Sequence, residues 1–99
     1  MELISTYIYD GWGKKMTVLA VFRSRAQTID YVSKLKARGV TVQTVNTPQE
    51  AGVGCGISAK FDGRFLSRAK LVLQTGNYSS FAGFFVLQTK YGRTGYFPL

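Results

Sequence analysis

The sequence predicts an α+β domain of the ferredoxin-like kind: a β-α-β-β-α-β order, an antiparallel sheet and two helices on one face. Three observations predict it. Short runs rich in branched and aromatic residues alternate with two stretches of helical periodicity. Each helical stretch opens at a capping residue. Both have one apolar stripe, and a single sheet layer beneath two helices buries both stripes.

The first expected strand is Met16-Thr17-Val18-Leu19-Ala20-Val21-Phe22, nearly continuous apolar sequence that suits a central strand. Arg23 ends it. Ser24 is a good N-cap for a helix over 25–38, whose expected stripe is Ala26, Ile29, Val32 and Leu35. Lys34, Lys36 and Arg38 gather at its C-terminal end, and Gly39 is the expected C′ residue. Val40 to Asn46 alternates as a strand, with Val40, Val42 and Val45 nearly keeping one face after a slip at Thr44. Thr47-Pro48-Gln49-Glu50 breaks the pattern. Ile57 to Phe61 is the third strand, and Asp62 caps a second helix with a stripe of Phe65, Leu66, Ala69, Val72 and Leu73. Gly76-Asn77 closes it, and Phe81 to Thr89 is the last expected strand.

This gives a domain over 16–89, preceded by an N-terminal arm or extra strand at 1–15 and followed by an aromatic, turn-rich tail at 90–99. In the expected topology the strand order is 4-1-3-2. The loop between strands 2 and 3 then lies at the end of the sheet where helix 1 begins.

That loop, Ala51-Gly52-Val53-Gly54-Cys55-Gly56-Ile57-Ser58, is the candidate site. It holds the one cysteine of the 99 residues, crowded by glycines that supply unusual backbone angles and open N–H groups. The expected neighbours are Arg23, Ser24 and Arg25, with Tyr78 and Ser79 nearby. A helix N-terminus and arginines favour a thiolate or a bound anion. Cys55 is therefore the candidate nucleophile, and Gly54, Gly56, Arg23, Ser24 and Arg25 are the candidate binding residues around it. The competing reading of a free cysteine is a small buried hydrophobe.

Composition narrows the function further. Histidine is absent, which excludes imidazole catalysis and most zinc sites. The five carboxylates form no close sequence pair, so no metal site or cofactor is expected. Gly52-x-Gly54-x-Gly56 precedes a strand and lacks the Gly-Lys-Ser/Thr of a phosphate loop, so nucleotide binding is not expected. A single cysteine forms no internal disulfide, no basic segment followed by an apolar run opens the chain, and no apolar run is long enough to span a bilayer. A cytoplasmic protein without a membrane partner is the expectation. The net charge of +8 suggests an anionic partner or a solvated basic surface. The apolar 81–87 strand and the aromatic tail lead to an expected homodimer.

A family resemblance follows from three segments. They are Lys36-Ala37-Arg38-Gly39-Val40 at the end of helix 1, Val45-Asn46-Thr47-Pro48-Gln49-Glu50, and Gly54-Cys55-Gly56-Ile57. Across about residues 17–75 the chain resembles the selenium/sulfur (Se/S) carrier-like family of small bacterial proteins. The resemblance implies a small thiol carrier or accessory protein, with Cys55 as the reactive thiol, Gly56 as its partner and a sulfur or selenium donor protein as the partner in transfer. It implies a stoichiometric carrier rather than an enzyme. The sequence departs from the family pattern at Gln49, where a basic residue is expected, in the glycine-rich 52–54 segment, and in both terminal extensions. The alternative from a different class is a basic nucleic-acid-binding or protein-interaction module with no thiol chemistry. It draws on the charge and the aromatics, but the chain has no basic-Gly-aromatic-Gly run of the usual RNA-binding kind, and nucleic acid is the less favoured partner.

Overall fold

A computed structural model describes residues 16–52 and 54–99. The N-terminal arm expected over 1–15 lies outside the described residues. The elements in chain order are β1 (Thr17–Phe22), α1 (Arg25–Ala37), β2 (Val42–Asn46), β3 (Ile57–Asp62), α2 (Leu66–Thr75), β4 (Phe81–Lys90) and β5 (Arg93–Pro98). Short 3-10 turns at Gln49–Ala51 and Gly63–Phe65 interrupt the connections.

The five strands form one sheet in the order β2-β3-β1-β4-β5, every neighbouring pair antiparallel. The fold is therefore α+β, and the expected tail at 90–99 contributes a fifth strand. Arg93 to Pro98 becomes a strand because Tyr91 and Gly92 both take positive φ, 53° and 76°. That is the geometry of a two-residue hairpin turn, and it folds the chain back along β4. β4 is consequently an interior strand, and among the described residues β2 and β5 are the edges.

Strand alternation separates two apolar clusters. Val18, Ala20 and Phe22 point to the helices, where they pack with Tyr31, Val32 and Leu35 of α1, Ala69 and Val72 of α2, and Ala59 and Phe61 of β3. Both helices share this cluster and so cover one face. Leu19 and Val21 point the other way, onto Phe85, Ala51 and the partly buried Val45, Ala82 and Tyr96. β1 is thus buried on both faces, which its near-continuous apolar sequence requires. β2 pairs with β3 without interruption from Val42↔Phe61 to Asn46↔Ile57. With no slip at Thr44, Val42 joins the helix side and Val45 the opposite face.

The first helix is capped as expected: the Ser24 side chain accepts from the Gln27 N–H at 3.1 Å, and Gly39 has φ +82° just past the C-terminus. Its buried face is rotated from the expected stripe. Thr28, Tyr31, Val32 and Leu35 are buried, and Ile29 is half exposed. Tyr31 carries more apolar area than Ile29, and its hydroxyl finds a buried partner by donating to the Ala69 carbonyl at 2.7 Å. Asp62 accepts from the Arg64 N–H at 2.9 Å, capping the 3-10 turn that leads into α2.

Candidate functional site

The residues from Thr47 to Gly56 join β2 to β3 and fold over the end of the sheet. Thr47 anchors the start. Its N–H donates to the Gly56 carbonyl at 3.0 Å, and its hydroxyl lies 2.6 Å from that of the fully buried Ser58. Pro48 precedes the 3-10 turn of 49–51, which presses Ala51 onto Leu19, Val21 and Phe85. The Thr-Pro segment therefore ties the loop to the sheet, with backbone and side chain of one residue used together.

The return from Gly54 to Gly56 depends on glycine twice. Gly54 has φ +123° and Gly56 has φ +97°, conformations that an L side chain adopts only under strain. Gly54 is also confined: a methyl there would lie 3.1 Å from Val21 Cγ1 and 3.2 Å from Thr47 Cγ2. At Gly56 a methyl would meet nothing within 4 Å. One glycine permits a close approach to the sheet, and the other only turns the chain. Between them Cys55 is half-buried and unbonded to any other sulfur.

The sulfur faces the first turn of α1. Thr28 Oγ1 is 3.5 Å from Sγ, and the thiol reaches the Ile57 carbonyl at 3.6 Å. The Thr28 hydroxyl donates to the Ser24 carbonyl at 2.9 Å, an oxygen that also accepts the Thr28 N–H at 3.0 Å. Because that carbonyl has a second donor, the hydroxyl can turn towards the sulfur without orphaning it. Thr28 is fully buried, so solvent does not compete for its hydroxyl.

The sulfur meets the start of α1 at Thr28, and no described contact joins it directly to Arg23, Ser24 or Arg25. Ser24 serves as the helix cap and reaches the sulfur only through Thr28. Arg23 and Arg25 are exposed, and their side chains make no hydrogen bond or ion pair among the described residues. Thr28 itself was hidden in the sequence by its polarity. Its place four residues after the cap and at −3, −4 and −7 from Tyr31, Val32 and Leu35 was the available signal.

The turn before β4 locks the helix end that faces the thiol. Gln27 Oε1 accepts from the Ser80 N–H at 2.9 Å and from the Ser80 hydroxyl at 2.7 Å, its amide donates to Ser79 Oγ at 3.2 Å, and the Ser24 N–H donates to Ser80 Oγ at 3.2 Å. Tyr78 donates to Asp30 at 2.7 Å, and Asp30 pairs with Lys34 at 3.0 Å. The Tyr78 bond, with Lys34 behind it, holds the Asp30 carboxyl below its ordinary value. Burial foremost, then the bond to Asp30, pushes the Tyr78 phenol up. Burial likewise raises the Tyr31 phenol. Phe22 packs against Tyr31, Tyr78 and Phe81 with ring centroids 4.9, 5.5 and 5.3 Å apart. A rigid aromatic and polar base therefore supports the turn of α1 against which Cys55 rests.

Fold and site together define a small α+β protein that holds its one cysteine on a glycine-bracketed loop against a capped helix start. Residues 17–80 match the family described as "Putative Se/S carrier protein-like", and the chain belongs to that family. The match takes in Thr47-Pro48, the Cys55 loop and the Ser79-Ser80 turn, and it ends before β4. Comparison with curated proteins and with solved structures yields no match. Among the described residues no helix is long and apolar enough to cross a membrane.

Proposed function

We propose that the protein is a thiol carrier or accessory protein that accepts and hands on sulfur, or selenium, at Cys55. The observation that carries this reading is the loop itself. Two positive-φ glycines bracket the single cysteine and hold it half-buried beside the Thr28 hydroxyl. A merely space-filling cysteine needs neither the two glycine turns nor the buried hydroxyl beside it.

The chemistry is a sulfane transfer. The Cys55 thiolate attacks the terminal sulfur of a donor persulfide, R–S–SH. A Cys55 S–S bond forms as the donor S–S bond breaks, and R–S⁻ leaves with the electron pair, so no external oxidant or reductant is consumed. Attack on the terminal sulfur by an acceptor thiolate reverses the exchange and restores Cys55. With R–S–SeH the same steps move selenium. The Thr28 hydroxyl donates to the sulfur anion, and Arg23 and Arg25, on the rim of the same helix start, attract the anionic donor. The strand order β4-β1-β3-β2, with β5 added outside it, supports a ferredoxin-like core for this carrier.

Incubation of the reduced protein with a low-molecular-weight persulfide, followed by intact-mass spectrometry, tests the reading. The expected product carries one added sulfur atom that a thiol reductant removes and that Cys55→Ser lacks. Wild-type protein that gains no mass would overturn it.

A further inference from the structure

We infer that the tip of the β4–β5 hairpin is a contact site for single-stranded nucleic acid, distinct from the Cys55 loop and outside the 17–80 family match. Two local features of the tip oppose stability and a third adds nothing to it. Tyr91 is the only non-glycine with positive φ among the described residues, at 53°, a turn position that Asn, Asp or Gly fills at less strain. Its side chain is 100% exposed, so the ring gains nothing from the core. Lys90 stands directly opposite Arg93 in the strand register, a like-charge cross-strand pair. Neither cation has an ion pair among the described residues. A strained turn residue and a like-charge pair, gathered at one spot with a fully exposed ring, mark a place shaped by something other than folding.

What the three features share is a fit to a nucleic-acid strand. A fully exposed, backbone-fixed ring offers a base a stacking face, and two adjacent cations match the phosphates on either side of it. Lys90 Nζ already lies 4.6 Å over the Phe97 ring, which places a cation and a second aromatic together beside the tip. A groove of about 360 Å³ runs from Lys90 and Tyr91 along β5 past Arg93 and Phe97. One carboxylate, Glu50, borders it, at the Gly95–Tyr96 end. Charge favours an anionic strand throughout the C-terminal part of the chain. Residues 63–99 contain five Lys and Arg and no Asp or Glu (Arg64, Arg68, Lys70, Lys90 and Arg93). The sheet aromatics Phe61, Phe81 and Phe84 pack in the helix-side cluster, so the base platform is the hairpin tip and not the sheet face.

The experiment is fluorescence anisotropy of a labelled mixed-sequence single-stranded RNA 12-mer with the full chain at about 50 and about 200 mM salt, a range over which phosphate contacts weaken steeply. Wild type is expected to bind at low salt and to weaken with added salt. Tyr91→Asn is expected to unfold at higher urea than wild type and yet bind about tenfold or more weaker. Lys90→Glu, which removes one cation of the pair together with its contact over Phe97, is expected to lower both the affinity and the salt slope. Cys55→Ser is expected to bind as wild type, which keeps this result separate from the sulfur-carrier reading. Three results would overturn the inference: no binding at low salt, unchanged binding by Tyr91→Asn and Lys90→Glu, or displacement of the RNA by anionic phosphatidylserine vesicles at lower concentration than by unlabelled RNA.

Discussion

Alanine at Gly54 and at Gly56 separates a loop built for its cysteine from an ordinary hairpin connection. Both positions have positive φ, so each substitution carries backbone strain of about 1–3 kcal/mol. Only Gly54 is also crowded. Its new methyl would press on Val21, fully buried in β1, and on Thr47, whose hydroxyl is held by Ser58. Neither can withdraw freely, so overpacking adds about 1–3 kcal/mol. Gly54→Ala should therefore lose about 2–6 kcal/mol, a large share of the stability of a domain this size. Gly56→Ala, with open space around it, should lose only the strain of about 1–3 kcal/mol and stay folded. Urea unfolding gives the stabilities, and the alkylation rate of Cys55 per folded molecule gives the reactivity. Gly56→Ala is expected to slow alkylation severalfold, because it tilts the sulfur away from Thr28 while the core is unchanged. Equal stability losses for the two variants would refute the packing argument. A wild-type alkylation rate in Gly56→Ala would refute the claim that this loop is shaped around its thiol.

Thr28→Val keeps the shape of the buried side chain and removes the hydroxyl that faces the sulfur. Because the Ser24 carbonyl retains the Thr28 N–H, the stability loss should be only about 1 kcal/mol. Persulfide loading of Cys55 should slow clearly, and loading at the wild-type rate would remove Thr28 from the site. Ser24→Ala should lose about 1 kcal/mol through the cap at Gln27, read by urea unfolding, and no change would mean that the Ser80 network alone holds the helix start. Tyr31 predicts an alkaline limit. Burial raises its folded pKa above the unfolded value near 10, so its contribution is complete below about pH 10 and declines above it by about 1.4 kcal/mol per pH unit, as the unfolded chain alone ionises. Tyr78, raised in the same direction, adds a smaller share because it is less buried. Chemical denaturation from pH 9 to 11 should show the decline, and Tyr31→Phe should flatten most of it.

Patterns that repeat along the chain were legible in the sequence. β1 reads as a doubly buried strand because both of its faces are apolar, and Ser24 and Gly39 mark the ends of α1 by capping chemistry alone. The position of the Cys55 loop beside that helix start follows from strand order. Three features were not legible, each for a physical reason. Thr28 is buried by the rotation of α1 about Tyr31, a tertiary preference that polarity conceals. Val45 crosses to the second face because β2 keeps its register, which only pairing with β3 decides. β5 depends on a hairpin turn with tyrosine where asparagine or glycine is usual, so the sequence carries no usual turn signal at 91–92 and its last ten residues look like a tail. The arginines nearest the helix start looked like partners of the thiol. The sulfur meets a threonine hydroxyl and a carbonyl instead.

The central claim is that Cys55 carries a transferable atom. Intact-mass spectrometry of the chain, isolated from its native cell without reductant, tests it most directly when paired with Cys55→Ser. The account predicts a population of wild-type protein bearing one or more added sulfur atoms or one selenium atom, lost on reduction and absent from Cys55→Ser. Unmodified wild-type protein in every preparation, or the same added mass on Cys55→Ser, would contradict it.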